Sequence, residues 1–199
     1  MGHVVGAALT ASLCLASLRG CRRSGSTLLE QATETNTALA EQAATWGLDD
    51  FVTGLLARVD LRTGTCEIVN AGHVAPYLAR GTDVTALVLP ADLPFGLFAD
   101  TDYRSTRVTL RDGDRLVLVT DGMLEHSVGS VDLLESIAST RELHPRELVR
   151  ALADSALVAT GQQLSDDATI LCLDWHGTHD QERSVVSGAD PGRASSPLV

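Results

Sequence analysis

The chain has 199 residues, of which 44% are hydrophobic and 21% charged, enough to build a core without disulfides or a structural metal. Its 26 acidic residues against 15 basic ones give a net charge of −11 and a pI near 4.8. That balance excludes the basic footprint that nucleic acid or an anionic membrane surface requires.

The chain opens with an apolar run from Val4 to Leu18, rich in Ala and Leu. Only Met1-Gly2-His3 precedes it, so the basic n-region of a signal peptide is missing, and Arg19 sits wrongly for cleavage before Cys21. The run is expected to be a buried helix, ended by Gly20 and the basic pair Arg22-Arg23. A second helix should start at a capping box, Thr27-Leu28-Leu29-Glu30. Leu28, Ala32, Leu39 and Ala43 recur at helical spacing, and Gly47 follows Trp46 as a stop.

The middle of the chain changes to strand character. Phe51 to Val59 and Thr65 to Val69 flank the turn Asp60-Leu61-Arg62-Thr63-Gly64 and form a hairpin. Val74 to Ala79 and Val84 to Leu89 are two further short strands. Arg104 to Leu110 and Arg115 to Thr120 flank the turn Arg111-Asp112-Gly113-Asp114. The run Leu116-Val117-Leu118-Val119 is apolar on both faces, as a covered central strand is. Helices return at Val131 to Ser139 and at Pro145 to Ala159, and a last strand is expected at Ala168 to Leu173. From His176 onward large apolar residues are few, and a disordered tail is expected; His176 and His179 within it lack further metal ligands. Helices segregated from mostly antiparallel strands imply an α+β layered domain.

Cys14, Cys21, Cys66 and Cys172 form no C-x-x-C pair, which excludes a zinc ribbon or thioredoxin-like site. Sparse cysteines fit reduced thiols in a cytoplasmic protein. No stretch of about 20 residues is apolar enough to span a bilayer.

Two places could carry chemistry. Asp121, in Thr120-Asp121-Gly122, stands at the exit of the buried strand, where its carboxylate is held rigidly and Gly122 permits a sharp turn. Asp166 and Asp167, in Ser165-Asp166-Asp167-Ala168-Thr169, stand at the entrance of the last strand and repel each other unless a cation lies between. Mg²⁺ or Mn²⁺ would suit carboxylate oxygens. On spacing alone, ordinary turn residues are the simpler reading.

Four motifs in order shift that balance: Asn70-Ala71-Gly72-His73-Val74-Ala75-Pro76, then Pro94-Phe95-Gly96-Leu97, then Leu110 to Asp114 with Val119 to Gly122, then Ser165 to Thr169. With Phe51-Val52-Thr53 before the hairpin, they resemble the metal-dependent PPM (PP2C) protein phosphatases, in the bacterial branch of SpoIIE and RsbU, from about Gly2 to Leu173. The resemblance implies a four-layer α-β-β-α sandwich. It implies two Mg²⁺ or Mn²⁺ ions whose bridging water attacks a phosphoserine or phosphothreonine in line. Asp121 and Asp166 match metal ligands of that family. Asp167, Gly122 and His73 shape the loops beside them, His73 by hydrogen bonding rather than catalysis. No side chain other than the metal ligands is expected to act in the chemistry.

The resemblance also carries a departure. The family's earlier motif, an Asp followed by Gly-His-Gly, ends where Met1-Gly2-His3 stands, and Val4 takes the place of its second Gly. The metal-bridging Asp and the opening strands would fall before residue 1. The expectation is therefore residues 1–175 as a phosphatase domain incomplete at its N-terminus, and 176–199 as the tail. The expected partner is a phosphoprotein substrate such as an anti-anti-sigma factor, with neither nucleic acid nor membrane. The alternative is a catalytically inactive phosphatase-like domain that acts by protein binding.

Overall fold

The computed structural model describes residues 2–47, 51–124, 130–159 and 167–177, with the side chains of 2–9, 130–132 and 159 left aside. It contains four helices and seven strands within those ranges, in two compact units. The first unit takes residues 1–75 and 88–109, and the second takes 76–87 and 110–199.

In the first unit, α1 (Gly2–Ser24) is followed by α2 (Leu28–Trp46). The helix α1 does not stop at Gly20, as the sequence suggested, but continues for another turn. An interior glycine costs a helix about 1 kcal/mol. Continuation offsets that cost by burying Cys21, whose Sγ donates to Glu34 Oε2 of α2 at 2.8 Å. Burial, followed by this contact with Glu34, raises the Cys21 thiol above its ordinary pKa. The true stop is Gly25 at φ 79, where Gly25 N–H donates to Arg22 O and Ser26 N–H to Cys21 O. These are the paired bonds of a Schellman ending.

The helix α2 begins at the expected capping box. Thr27 Oγ1 accepts from Glu30 N–H at 3.2 Å, and Glu30 Oε2 accepts from Thr27 N–H at 2.7 Å. It ends at Gly47 in the left-handed conformation. Its buried face, Leu28, Ala32 and Leu39, packs with Val69, Ala71, Phe95 and Tyr103, and Leu13 and Cys14 of α1 close over part of this core.

That core lies on a three-stranded antiparallel sheet in the order β1 (Gly54–Val59), β2 (Thr65–Ala71), β5 (Ser105–Thr109). The β1–β2 turn is where Asp60 to Gly64 predicted it: Gly64 N–H donates to Asp60 O at 2.8 Å, and Arg62 N–H donates to Asp60 Oδ1 at 2.9 Å. The expected strand over Phe51 to Val59 is shorter than proposed. Val52 instead makes an isolated two-way bridge to Phe95, with both N···O distances 2.9 Å.

The second unit holds a four-stranded antiparallel sheet in the order β4 (Asp83–Ala86), β3 (Tyr77–Arg80), β6 (Arg115–Val119), β7 (Ile170–Asp174). The strand β3 starts later than Val74, because 74–76 belong to a loop and Pro76 has no N–H for a ladder. The chain leaves β4 at Leu87, whose N–H donates to Pro76 O, so pairing does not reach Leu89. As its apolar run implied, β6 is covered: Leu116, Val117 and Val119 are all buried. Helix α3 (Ser130–Ser139) packs on β3 and β4, and α4 (Pro145–Ala159) packs on β7. Among the described residues of these two helices, Leu133, Ile137, Leu148 and Leu152 are buried.

One ion pair is built into this sheet. Arg115 on β6 and Asp174 on β7 have side chains 2% and 5% exposed and meet at 2.6 Å. The same guanidinium donates to Thr140 O and Leu143 O after α3, so four of its five N–H hydrogens go to a carboxylate and two carbonyls. A second clamp holds the Arg111–Asp114 turn: buried Asp114 accepts from Arg80 of β3 and from Arg111 N–H. Each unit thus carries one antiparallel sheet and one pair of helices, the α+β composition expected from the sequence. Among the described residues, no helix is long and apolar enough to cross a membrane.

Candidate metal centre

The ends of β6 and β7 come together through Thr120. Its N–H donates to Thr169 O at 3.1 Å, and its Oγ1 accepts from Thr169 N–H at 2.9 Å. The same Oγ1 donates to Asp167 O at 3.4 Å. Because the two strands are antiparallel neighbours, the exit of β6 and the entrance of β7 lie at one edge of the sheet. Asp121 and Asp167, both exposed, follow from that pairing at the same edge.

Asp121 opens a short 3₁₀ turn, Asp121–Met123. Its Oδ1 accepts from Gly122 N–H at 3.0 Å, which fixes the carboxylate beside the turn, and its carbonyl accepts from Leu124 N–H at 2.7 Å. Gly122 is buried against the backbone of Asp167. A Cβ there would lie 2.6 Å from Asp167 O and 3.2 Å from its carbonyl carbon. The glycine of the Thr-Asp-Gly motif is therefore required by close backbone approach.

Asp166 lies outside the described residues. Among the described ones, Asp121, Gly122 and Asp167 are brought together in the second unit. His73 belongs to the first unit. There Asn70 holds the His73 loop, accepting from His73 N–H at 2.8 Å and donating to His73 O at 2.9 Å. The His73 ring places Nδ1 3.0 Å from Val74 O. Gly72, at φ 68, lets this loop pass Pro94, whose Cγ would lie 2.7 Å from a Cβ at that position.

Sequence reasoning missed Thr120 as the residue that sets the spacing between the two acidic loops. The only signal was a hydroxyl residue beside each acidic motif, Thr120 and Thr169. It also missed Asn36, a buried residue of α2 that accepts from Gly96 N–H and Tyr103 OH and donates to Phe98 O and Ala99 O. These bonds tie the Pro94–Leu97 motif to a helix some 60 residues earlier. Burial, and then the negative charge of Asp92, keep the Tyr103 hydroxyl protonated well above its ordinary range.

The described acidic residues at this edge, Asp121 and Asp167, offer hard carboxylate oxygens, the donor class that Mg²⁺ or Mn²⁺ takes, while among the described residues no three His, Cys, Asp or Glu side chains gather into a metal-holding group.

Comparison with known proteins identifies the family. The family model of Stage II sporulation protein E (SpoIIE) matches residues 1–176. Stage II sporulation protein E of Bacillus subtilis (strain 168) is 25% identical over 122 residues, covering 59% of this chain and 15% of that protein. Phosphoserine phosphatase RsbU of the same organism is 29% identical over 129 residues, covering 62% of this chain and 38% of its own length. The matches thus span well under half of those curated relatives. Among solved structures, the SiaA-PP2C domain of Pseudomonas aeruginosa superposes with a TM-score of 0.74 at 23% identity, covering 85% of this chain and 70% of that one. At that identity the likeness establishes a shared PP2C fold.

Proposed function

This chain belongs to the SpoIIE family, and from that premise we propose that it carries a PPM-type serine/threonine phosphatase site. The reaction is hydrolysis of phosphoserine or phosphothreonine on a regulatory protein, an anti-anti-sigma factor being the expected partner. The observation that carries the reading is the joining of the ends of β6 and β7 through Thr120, which sets the Asp121 turn beside the Asp167 loop with Gly122 packed on the Asp167 backbone.

Asp121 would hold the cation, with Asp166 as its partner ligand and Asp167 beside them. A bound Mg²⁺ or Mn²⁺ would supply Lewis-acid charge against the phosphoryl oxygens and lower the pKa of water. The residues of this chain supply placement. Gly122 N–H orients the Asp121 carboxylate through Oδ1. Thr120 fixes the separation of the two loops, and the buried strand β6 anchors the turn that carries Asp121. The Asn70-anchored loop shapes the His73 segment of the first unit. Residues 1–175 would form the phosphatase domain and 176–199 a tail.

A second reading is a phosphatase-like domain that binds a partner without turnover. One experiment separates the two: Mn²⁺ titration by calorimetry, together with phosphate release from a phosphoserine peptide. Mn²⁺-dependent release lost in Asp121→Ala supports the phosphatase. Mn²⁺ binding lost in Asp121→Ala without turnover supports the second reading. Turnover that persists in Asp121→Ala overturns the assigned site.

A further inference from the structure

We infer that the loop after Pro94 in the first unit is a docking surface for a protein partner that presents apolar side chains beside Lys or Arg. The inference does not rest on the phosphatase reading. Leu97 and Phe98 project from this loop, 40% and 59% exposed. The Val52–Phe95 bridge brings Phe51, 53% exposed, opposite Gly96 at the same turn.

Single exposed apolar residues are ordinary, but these stand on a backbone held by a built clamp. Asn36, 1% exposed, donates to the carbonyls of Phe98 and Ala99 and accepts from Gly96 N–H. Thr101 Oγ1 also donates to Phe98 O at 2.9 Å. Moving the loop backbone would break these bonds and leave buried polar groups of Asn36 unpaired. The backbone that carries the apolar side chains is therefore held in one arrangement, which lowers the ordering cost of binding.

Charge selects the occupant. Asp100 and Asp102 are exposed beside the apolar residues and make no ion pair among the described residues. The nearest arginine in sequence, Arg104, is held by Asp92 at 2.6 Å. The surface is thus an apolar centre with an acidic rim, the layout of a specific interface. A second copy of this chain would set Asp against Asp, and an anionic bilayer would be repelled likewise. A polypeptide with Leu or Phe flanked by Lys or Arg is complementary in both respects.

The test uses the full chain and two short fluorescein-labelled peptides, one of Leu, Phe and Arg, the other with Glu replacing each Arg. Fluorescence anisotropy should show saturable, salt-weakened binding of the Arg peptide. Phe98→Ser and the pair Asp100→Asn with Asp102→Asn should each weaken it by about tenfold or more, the scale of a hot-spot truncation. The control is Leu61→Ser, 76% exposed in the β1–β2 turn, which should leave binding unchanged. Any of four results overturns the proposal: no saturable binding, equal affinity for the Glu peptide, equal loss in Leu61→Ser, or self-association of the chain that Phe98→Ser abolishes.

Discussion

Gly122→Ala tests the candidate centre where its geometry is tightest. The added Cβ would sit 2.6 Å from Asp167 O, 0.4 Å inside the 3.0 Å that real Cβ atoms keep and 0.8 Å inside ordinary contact. The obstacle is backbone, so no side chain can rotate away. Relief requires the ends of β6 and β7 to part, and Thr120 N–H to Thr169 O, already 3.1 Å, would then stretch to about 3.5 Å, the edge of a useful hydrogen bond. Loss of most of one hydrogen bond contributes about 1 kcal/mol, and overpacking of this kind costs about 1–3 kcal/mol. The expected destabilisation is about 2 kcal/mol. For a chain of this size it lowers Tm by about 4–8 °C at about 2–4 °C per kcal/mol. The same parting moves Asp121 relative to Asp167, so Mn²⁺ affinity measured by calorimetry should fall with Tm. A Gly122→Ala protein with unchanged Tm and unchanged Mn²⁺ affinity would refute the close approach and the assignment built on it.

Arg115→Met should be far more damaging, about 3–5 kcal/mol in urea unfolding, because it strands the buried Asp174 carboxylate. Adding Asp174→Leu should recover part of that loss, which a double-mutant cycle measures directly. Asn36→Ala removes a buried hub with four partners and should cost about 3 kcal/mol, with faster hydrogen exchange at Gly96 as its local mark. Thr27→Ala deletes the capping box of α2 and should cost about 1 kcal/mol in thermal melts. Two exposed carboxyls contribute to the acid limb of stability. The Thr27 backbone N–H holds Glu30 below its ordinary value of 4.5, and the Arg62 N–H holds Asp60 below 3.8. Since both are lowered on folding, their contribution is complete above those ordinary values and is lost as pH falls through the lower folded ones. Tm should therefore fall on acidification below about pH 4.5, and Glu30→Gln should make that fall shallower.

Much of the architecture was legible in the chain because it depends on neighbours. The capping box at Thr27 and Glu30, the Asp60–Gly64 turn, the start of α4 at Pro145 and the doubly covered strand β6 are written in residues a few positions apart. Local bonds and short-range periodicity decide them, so the reading succeeded there. It was less accurate where distant packing competes with local preference. Gly20 carries a local helix penalty, yet α1 runs past it because Cys21 finds its place against α2, and only Gly25, in a conformation suited to glycine, ends the helix.

The site divides in the same way. Asp121, at the exit of an apolar strand and followed by glycine, is recognisable from sequence as a held carboxylate. What the sequence cannot contain is the distance from Asp121 to the Asp167 loop, since it depends on β6 and β7 pairing across some fifty residues. That pairing makes Gly122 a contact with the Asp167 backbone and makes Thr120 the spacer between the two acidic loops. The partners of Asn36 and of Arg115 belong to the same class. A polar side chain announces that it needs hydrogen bonds, but which carbonyls and carboxylates meet that need is decided only when the chain folds and water is excluded around it.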